Sequence, residues 1–358
     1  RTPMGKSKNG VFRNVRSEDL SAEVIRALLR RNPDLKPKEI EDVIWGCVQQ
    51  TLEQGFNIGR MASIMAGLPQ EVSAQTVNRL CGSSMEAIHV AAANIECGWG
   101  DCFLIGGIES MSRVKRRGFN WSPSPSLEET YPEAYINMGV TAENVAEKYA
   151  IDRLDQDTFA LLSHEKSSFA QKNGNFDAEI CRVFSADEVV SEDGCIRHDT
   201  NLESIGKLKP VFKEGGSVTA ATSSPLTDGA VFAIICSEEF AQENSLKPLA
   251  RIVSTAVTGC APEFMGMGPV SSTLLCLERA GWDLDDVDIF EINEAFSSQS
   301  LACINELGID VNKVNLDGGA ISIGHPLGAS GARITCKAAS LLDRTGSKKA
   351  IATMCIGG

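Results

Sequence analysis

Apolar residues Leu20, Val24, Ala27 and Leu28 recur at the spacing of one helix face between about positions 18 and 31, and Asn32-Pro33 ends the pattern. Beyond it, short apolar runs alternate with helical periods. The pattern predicts strands over 42–48, 72–77 and 102–105, with helices over 59–68 and 83–95 between them. A second series begins near Lys247: a strand over 249–257, a helix over 272–280, a strand over 287–291, helices over 295–307 and 328–342, and a strand over 350–355. Alternation with buried apolar strands is the mark of an α/β layered fold.

The two series look like copies of each other. Leu80-Cys81-Gly82-Ser83-Ser84-Met85 occupies the place that Leu327-Gly328-Ala329-Ser330-Gly331 holds later, each opening a helix after a strand. Each is followed by a strand ending in paired glycines, at Gly106-Gly107 and at Gly357-Gly358. Residues 1–111 therefore form one half, completed by about 216–246, and residues 247–358 the other. The stretch 112–215 differs in character: Ser122-Pro123-Ser124-Pro125-Ser126 and the polar run 185–199 are loop chemistry, while 142–149 and 155–171 read as helices. It reads as an inserted loop domain, and long insertions of this kind commonly cover a site and bind substrate.

Composition narrows the chemistry. The 358 residues suffice for roughly two domains of ~150 residues. With 34 Lys plus Arg against 47 Asp plus Glu, the net charge of -13 argues against nucleic acid as a partner. One concentrated basic run, Arg113-Val114-Lys115-Arg116-Arg117, has two readings, a solvated surface or an anion contact. The twelve cysteines are scattered, with no Cys-x-x-Cys and no histidine at ligand spacing, so the expectation is reduced thiols in a cytoplasmic protein and no metal. No apolar run approaches the ~18 residues of a membrane span, and no phosphate-cradling glycine motif is present.

Three reactive side chains stand beside glycine-rich turns: Cys81 in Asn78-Arg79-Leu80-Cys81-Gly82-Ser83-Ser84, His325 in Gly324-His325-Pro326-Leu327-Gly328, and Cys355 in Met354-Cys355-Ile356-Gly357-Gly358. A thiol at the mouth of a helix feels unpaired N–H groups and the positive end of the macrodipole, which favour thiolate. Cys81 is placed in that way, and Ser83 or Ser84 can cap the helix. His325 on a rigid turn suits a base that must keep one orientation. Cys355 reads as an exposed strand-end thiol or as a core cysteine. Asn293, in Asn293-Glu294-Ala295-Phe296, is a helix N-cap, an amide that positions a water, or both.

These four motifs, in this order, resemble the thiolase family over nearly the whole chain. The resemblance implies two duplicated βαβαβ halves forming a layered α/β/α/β/α core. It implies that Cys81 is the nucleophile that becomes acylated, His325 its base and Cys355 a second acid and base. One oxyanion hole would combine His325 with a water held by Asn293, and the other the backbone N–H groups of Cys81 and Gly357. The segment from Cys195-Ile196-Arg197 through Leu208-Lys209-Pro210-Val211-Phe212 to Ser224 is similar to the family's coenzyme A segment: Arg197 would meet a phosphate, Phe212 pack on CoA, and Ser224 bond the pantetheine. Coenzyme A is then a substrate, and no further cofactor is implied.

Within the family, the stretches 47–58 and 77–85 are similar to the 3-ketoacyl-CoA thiolases that form the β-subunit of the bacterial fatty acid β-oxidation complex. Asn137-Met138-Gly139 carries Asn where biosynthetic acetoacetyl-CoA thiolases typically have His. The implied partners are acyl-CoA, CoA, a second copy in a homodimer, and a hydratase/3-hydroxyacyl-CoA dehydrogenase α-subunit in a heterotetramer. By resemblance a short strand precedes residue 1 and a final strand follows residue 358. The alternatives are a biosynthetic acetyl-CoA acetyltransferase and a non-catalytic acyl-CoA or lipid carrier, which usually lacks one reactive residue. A ketoacyl synthase would pair one cysteine with two histidines, and the second reactive position here is Cys355.

Overall fold

The computed structural model describes residues 1–117, 121–185 and 188–357. Its strands are β1 Gly5–Lys6, β2 Asp42–Gly46, β3 Ser73–Val77, β4 Cys102–Ser110, β5 Val183–Ser185, β6 Glu188–Val190, β7 Thr227–Cys236, β8 Ile289–Ile292 and β9 Ala350–Thr353. Its helices are α1 Ser17–Arg31, α2 Ile58–Ala66, α3 Ser83–Glu96, α4 Pro125–Thr130, α5 Met138–Lys148, α6 Arg153–Lys172, α7 Leu202–Gly206, α8 Glu238–Glu243, α9 Gly268–Ala280, α10 Ser297–Leu307, α11 Ala320–Ile323 and α12 Leu327–Thr345.

Five strands form a mixed sheet in the order β1-β7-β4-β2-β3, with β2 parallel to both β3 and β4 and with β7 antiparallel to β4 and β1. Strand β4 is buried along its whole length. On one face, α1 and α2 bury Leu20, Val24, Ile25, Ile58 and Ala62 with Trp45 and Phe232. On the other, Ala87, Ile88 and Ala91 of α3 and Ala329 and Ala332 of α12 pack over Ile44, Phe103 and Ile105. Helix α12 is covered in turn by the parallel pair β8 and β9. Beyond them, Leu277, Ile304 and Phe159 close a third core around Phe290, Ile292 and Ile351. The layers therefore run α/β/α/β/α.

Three expectations are corrected. Residues 249–257 form no strand, and together with β9 they line a groove of about 1840 Å³. A strand needs a main-chain partner within ladder distance; among the described residues 249–257 have none, and β9 pairs with β8 alone. Gly106-Gly107 do not end β4, which continues to Ser110. A Cβ at Gly107 would lie 2.2 Å from the Gly328 carbonyl oxygen, so that glycine lets the α12 N-terminus sit directly on the strand. Finally, β9 ends at Thr353, so Cys355 lies past the strand; Gly358 falls outside the described residues.

Candidate active site

The turn that carries Cys81 is held by its own polar neighbours. Asn78 Oδ1 accepts from the Leu80 N–H at 2.8 Å, and Ser83 Oγ accepts from Arg79 N–H at 3.0 Å and donates to the Leu80 carbonyl at 2.6 Å. Leu80 pays for this with a left-handed φ of 45°, a conformation that costs a branched residue energy and is kept when the surroundings over-determine it. Helix α3 then starts at Ser83 with Gly82 as its N-cap, so neither Ser83 nor Ser84 caps it. Ser84 Oγ instead accepts from the Ala332 N–H at 2.9 Å and fastens α3 to α12.

His325 is buried, and two contacts fix it. Its N–H donates to Thr227 Oγ1 at 3.0 Å, and Nδ1 lies 2.6 Å from Ser330 Oγ. Ser330 donates its own hydrogen to the Pro326 carbonyl at 2.9 Å, so it accepts from Nδ1–H and leaves the lone pair on Nε2. Burial, followed by the charges of Arg333 and Arg116, pulls the imidazole down to about 3. His325 is therefore a neutral base with a defined tautomer. Gly324 before it has φ 117° and lies against Thr227, where a side chain would clash.

Asn293 is wholly buried between β8 and α10. Helix α10 begins at Ser297 with Phe296 at its cap, so Asn293 is not an N-cap. Its Nδ2 stands 3.5 Å from His325 Nε2, and its Oδ1 has no protein partner although it is buried. An orphaned buried acceptor of this kind suits an ordered water. Cys355 is also buried, where the sequence left open an exposed thiol, and burial together with the nearby Cys81 sulfur raises it well above the usual thiol range.

Cys81 itself is half-buried, and burial raises its thiol despite hydrogen bonds from the N–H groups of Gly357 and Cys81 and the charge of Arg116. The helix mouth does not by itself make a resting thiolate; a base is needed. The arrangement thus holds a protonated thiol at Cys81, a neutral imidazole, a second thiol, a carboxamide with an unpartnered buried oxygen, and two backbone donors at one sulfur. Such a set can add a thiol to a carbonyl and shelter the oxyanion.

Phe212 and Ser224 reach this centre from the insertion and the segment after it. Phe212 lies edge-on to Phe296 at 6.0 Å in an apolar cluster with Met138, Ala295 and Cys355, and the Ser224 N–H donates to the Ala295 carbonyl at 3.0 Å. Arg197 is elsewhere: it is exposed beside α6, where its N–H donates to His164 Nδ1 at 3.1 Å.

Two buried carboxylates that motif reading passed over hold the parts in register. Glu109, within β4, accepts from the N–H groups of Val48, Gln49 and Gly328 and from Gln54 Nε2, at 2.7 to 3.2 Å. It ties the β2 exit to the start of α12. Glu294 accepts from Ser163 Oγ, Asn315 Nδ2 and the Ile321 N–H, and so joins the insertion to the His325 turn. An acid inside an apolar strand was the available signal for Glu109.

The fold and site define a thiolase, and the comparisons agree. Residues 1–239 match the family model for the thiolase N-terminal domain and residues 246–358 that for the C-terminal domain; the chain belongs to the thiolase family. It is 50% identical over 367 aligned positions to a 3-ketoacyl-CoA thiolase of Aliivibrio fischeri, covering 100% of this chain and 94% of the relative. It is 49% identical to a 3-ketoacyl-CoA thiolase of Marinobacter nauticus, covering 100% and 93%. Among solved structures, the acetyl-CoA acetyltransferase of Bacillus anthracis superposes with a TM-score of 0.90 at 38% identity, covering 100% of this chain and 94% of that one.

Proposed function

We propose that the protein is a 3-ketoacyl-CoA thiolase, an acyltransferase that cleaves a 3-ketoacyl-CoA with CoA in fatty acid β-oxidation. The observation that carries the reading is the neutral, tautomer-fixed His325 next to Asn293, together with two thiols that burial keeps protonated and that act on one another, Cys81 and Cys355. His325 takes the Cys81 proton as the sulfur attacks the 3-keto carbon. The bond between C2 and C3 breaks, its electron pair leaves as the acetyl-CoA enolate, and Cys355 protonates that carbon. Cys355 then takes the proton of an incoming CoA thiol, whose sulfur displaces Cys81 from the acyl group. Cys81 regains its proton from His325. His325 with a water on Asn293 would hold one oxyanion, and the N–H groups of Cys81 and Gly357 the other.

Coenzyme A enters as substrate, with Phe212 and Ser224 along its pantetheine and Arg197 toward a phosphate. The edge strand β3 and the exposed Leu52, Phe56, Ile64 and Met65 offer a face for a second copy. Partnership with a hydratase/3-hydroxyacyl-CoA dehydrogenase α-subunit and a cytoplasmic location belong to the same reading; no helix among the described residues is long and apolar enough to cross a membrane. The test is steady-state thiolysis, following loss of substrate enolate absorbance, with acetoacetyl-CoA and with a long-chain 3-ketoacyl-CoA. Preference for the long chain supports the degradative enzyme. Activity confined to acetoacetyl-CoA would reassign it as a biosynthetic acetyltransferase, the reading favoured by the likeness to the Bacillus enzyme.

A further inference from the structure

All twelve cysteines are free thiols, and the chemistry above uses two of them, Cys81 and Cys355. Another two, Cys102 and Cys236, stand directly opposite each other where β4 begins and β7 ends. No other two cysteines share a ladder position among the described residues. Directly opposite residues of an antiparallel pair point to the same face of the sheet. Both thiols accordingly enter the apolar cluster on the α1 face, Cys102 fully buried and Cys236 partly.

The hydrogen bonds fix which kind of pair this is. The Ser237 N–H donates to the Asp101 carbonyl at 2.9 Å. That bond joins the residues just outside the two cysteines, so Cys102 and Cys236 form a non-hydrogen-bonded pair, in which Cα atoms come within about 4.5 Å and side chains are closest. A disulfide needs Cα atoms roughly 4.4 to 6.8 Å apart and side chains that do not point away from each other. The ladder supplies both without moving the main chain. Access is one-sided: Cys236 lines the groove beside residues 249–257, while Cys102 is fully buried. Burial raises both thiols, and Cys102, with Cys236 and then the carboxylates of Glu39, Glu41 and Asp101 near it, is pushed up to about 12. Neither is a resting thiolate, which suits a pair that ignores mild oxidant and reacts under sustained exposure.

From this register and the groove beside it, we propose that Cys102 and Cys236 are an oxidation site, closed by hydrogen peroxide into a cross-strand disulfide that pins β7 to β4. The proposal is independent of the thiolase reading. The Cys236 sulfur attacks one peroxide oxygen, the O–O bond breaks, and the other oxygen leaves as water with the thiol's proton. The Cys102 sulfur then attacks the sulfenic acid so formed, the S–O bond breaks, and the hydroxyl leaves as water with the Cys102 proton. Together the two thiols lose two electrons and two protons, and one peroxide becomes two waters. The bond lies at the opposite end of the two strands from Glu109 and Thr227, so it acts on the sheet and not on the His325 turn.

In the experiment, folded protein is treated with hydrogen peroxide, remaining thiols are capped with N-ethylmaleimide during unfolding, and the chain is cut with trypsin and an aspartate-directed protease. Residues 101–113 then carry Cys102 and residues 228–251 carry Cys236, each as the single cysteine. The expected result is a cross-linked species of these two peptides, released by dithiothreitol and absent in Cys236→Ala. Recovery of both peptides capped overturns the proposal. So does Cys236 joined to any cysteine but Cys102, or carried on to the sulfinic acid. The second readout is the urea midpoint, which should rise by about 0.5 to 1 M on oxidation of the wild type, return with dithiothreitol, and stay unmoved in Cys236→Ala. A cross-link that leaves the midpoint where it was, or lowers it, overturns the pinning of β7 to β4.

Discussion

The turns that open α3 and α12 meet at one centre, but they are built for different tasks. The Cys81 turn is knotted locally, through Asn78, Ser83 and a left-handed Leu80, and leaves its sulfur half-buried with only main-chain donors. The His325 turn is buried and held by distant residues, Thr227 and, through Gly328, Glu109, while Ser330 of its own helix fixes the ring. On the proposed mechanism Cys81 has to be reached and has to change its bonding partner, whereas His325 has to keep one orientation. The difference shows that equivalent places in a layered fold can be specialised by their supports rather than by the helices they open.

The largest effect comes from breaking the first turn's chemistry. Cys81→Ala should lower thiolysis by about 10⁴-fold or more, read as loss of enolate absorbance, and substantial residual turnover would move the nucleophile elsewhere. Next comes the base: His325→Asn should cost about 10² to 10⁴-fold in kcat. It should also slow alkylation of Cys81 by iodoacetamide near neutral pH, because burial keeps that thiol protonated at rest. Unchanged alkylation would mean that Arg116 and the N–H donors activate the sulfur without the imidazole.

Most of the frame was legible in the chain because apolar periodicity reports burial directly: the helix expected over 83–95 is Ser83–Glu96, and that over 328–342 is Leu327–Thr345. The candidate site residues Cys81, His325 and Cys355 stand out in the chain because glycines flank them. What escaped was set by contacts distant in sequence. Residues 249–257 have strand composition but no neighbour to pair with. Glu109 and Gly328 meet across 219 positions, and Ser163 and Glu294 across 131, separations that no local pattern encodes.

Burial of two histidines, one on the α12 turn and one in α6, also sets how the fold responds to acid. An unfolded histidine titrates near 6.5; His325 is lowered to about 3 and His164, buried in α6, to about 4, in both cases mainly by burial. As pH falls, the unfolded chain therefore takes up these protons first. Their contribution is complete above about 6.5 and is lost as pH drops towards 4 for His164 and 3 for His325, by about 3 kcal/mol each at pH 4. Urea midpoints between pH 7 and 4 should fall steeply in the wild type and less steeply, by about one proton, in His164→Gln and in His325→Asn. If His325→Asn leaves the slope unaltered, the imidazole is not held neutral by its site.

The smallest expected effect isolates the support from the base. Ser330 is buried on the first turn of α12, its hydrogen committed to the Pro326 carbonyl and its lone pair to His325 Nδ1. With Ser330→Ala the ring loses the acceptor that keeps hydrogen on Nδ1, and the tautomer with hydrogen on Nε2 becomes accessible. That tautomer cannot accept the Cys81 proton. The expected outcome is a fall of about fivefold in kcat, since one neutral hydrogen bond contributes about 1 kcal/mol, with KM for the ketoacyl-CoA little altered because Ser330 touches neither Phe212 nor Ser224. A loss as large as that of His325→Asn would show that Ser330 governs whether the base works at all. No loss would show that Thr227 and packing alone keep the ring in place, and the two turns would then be more alike in their supports than the geometry indicates.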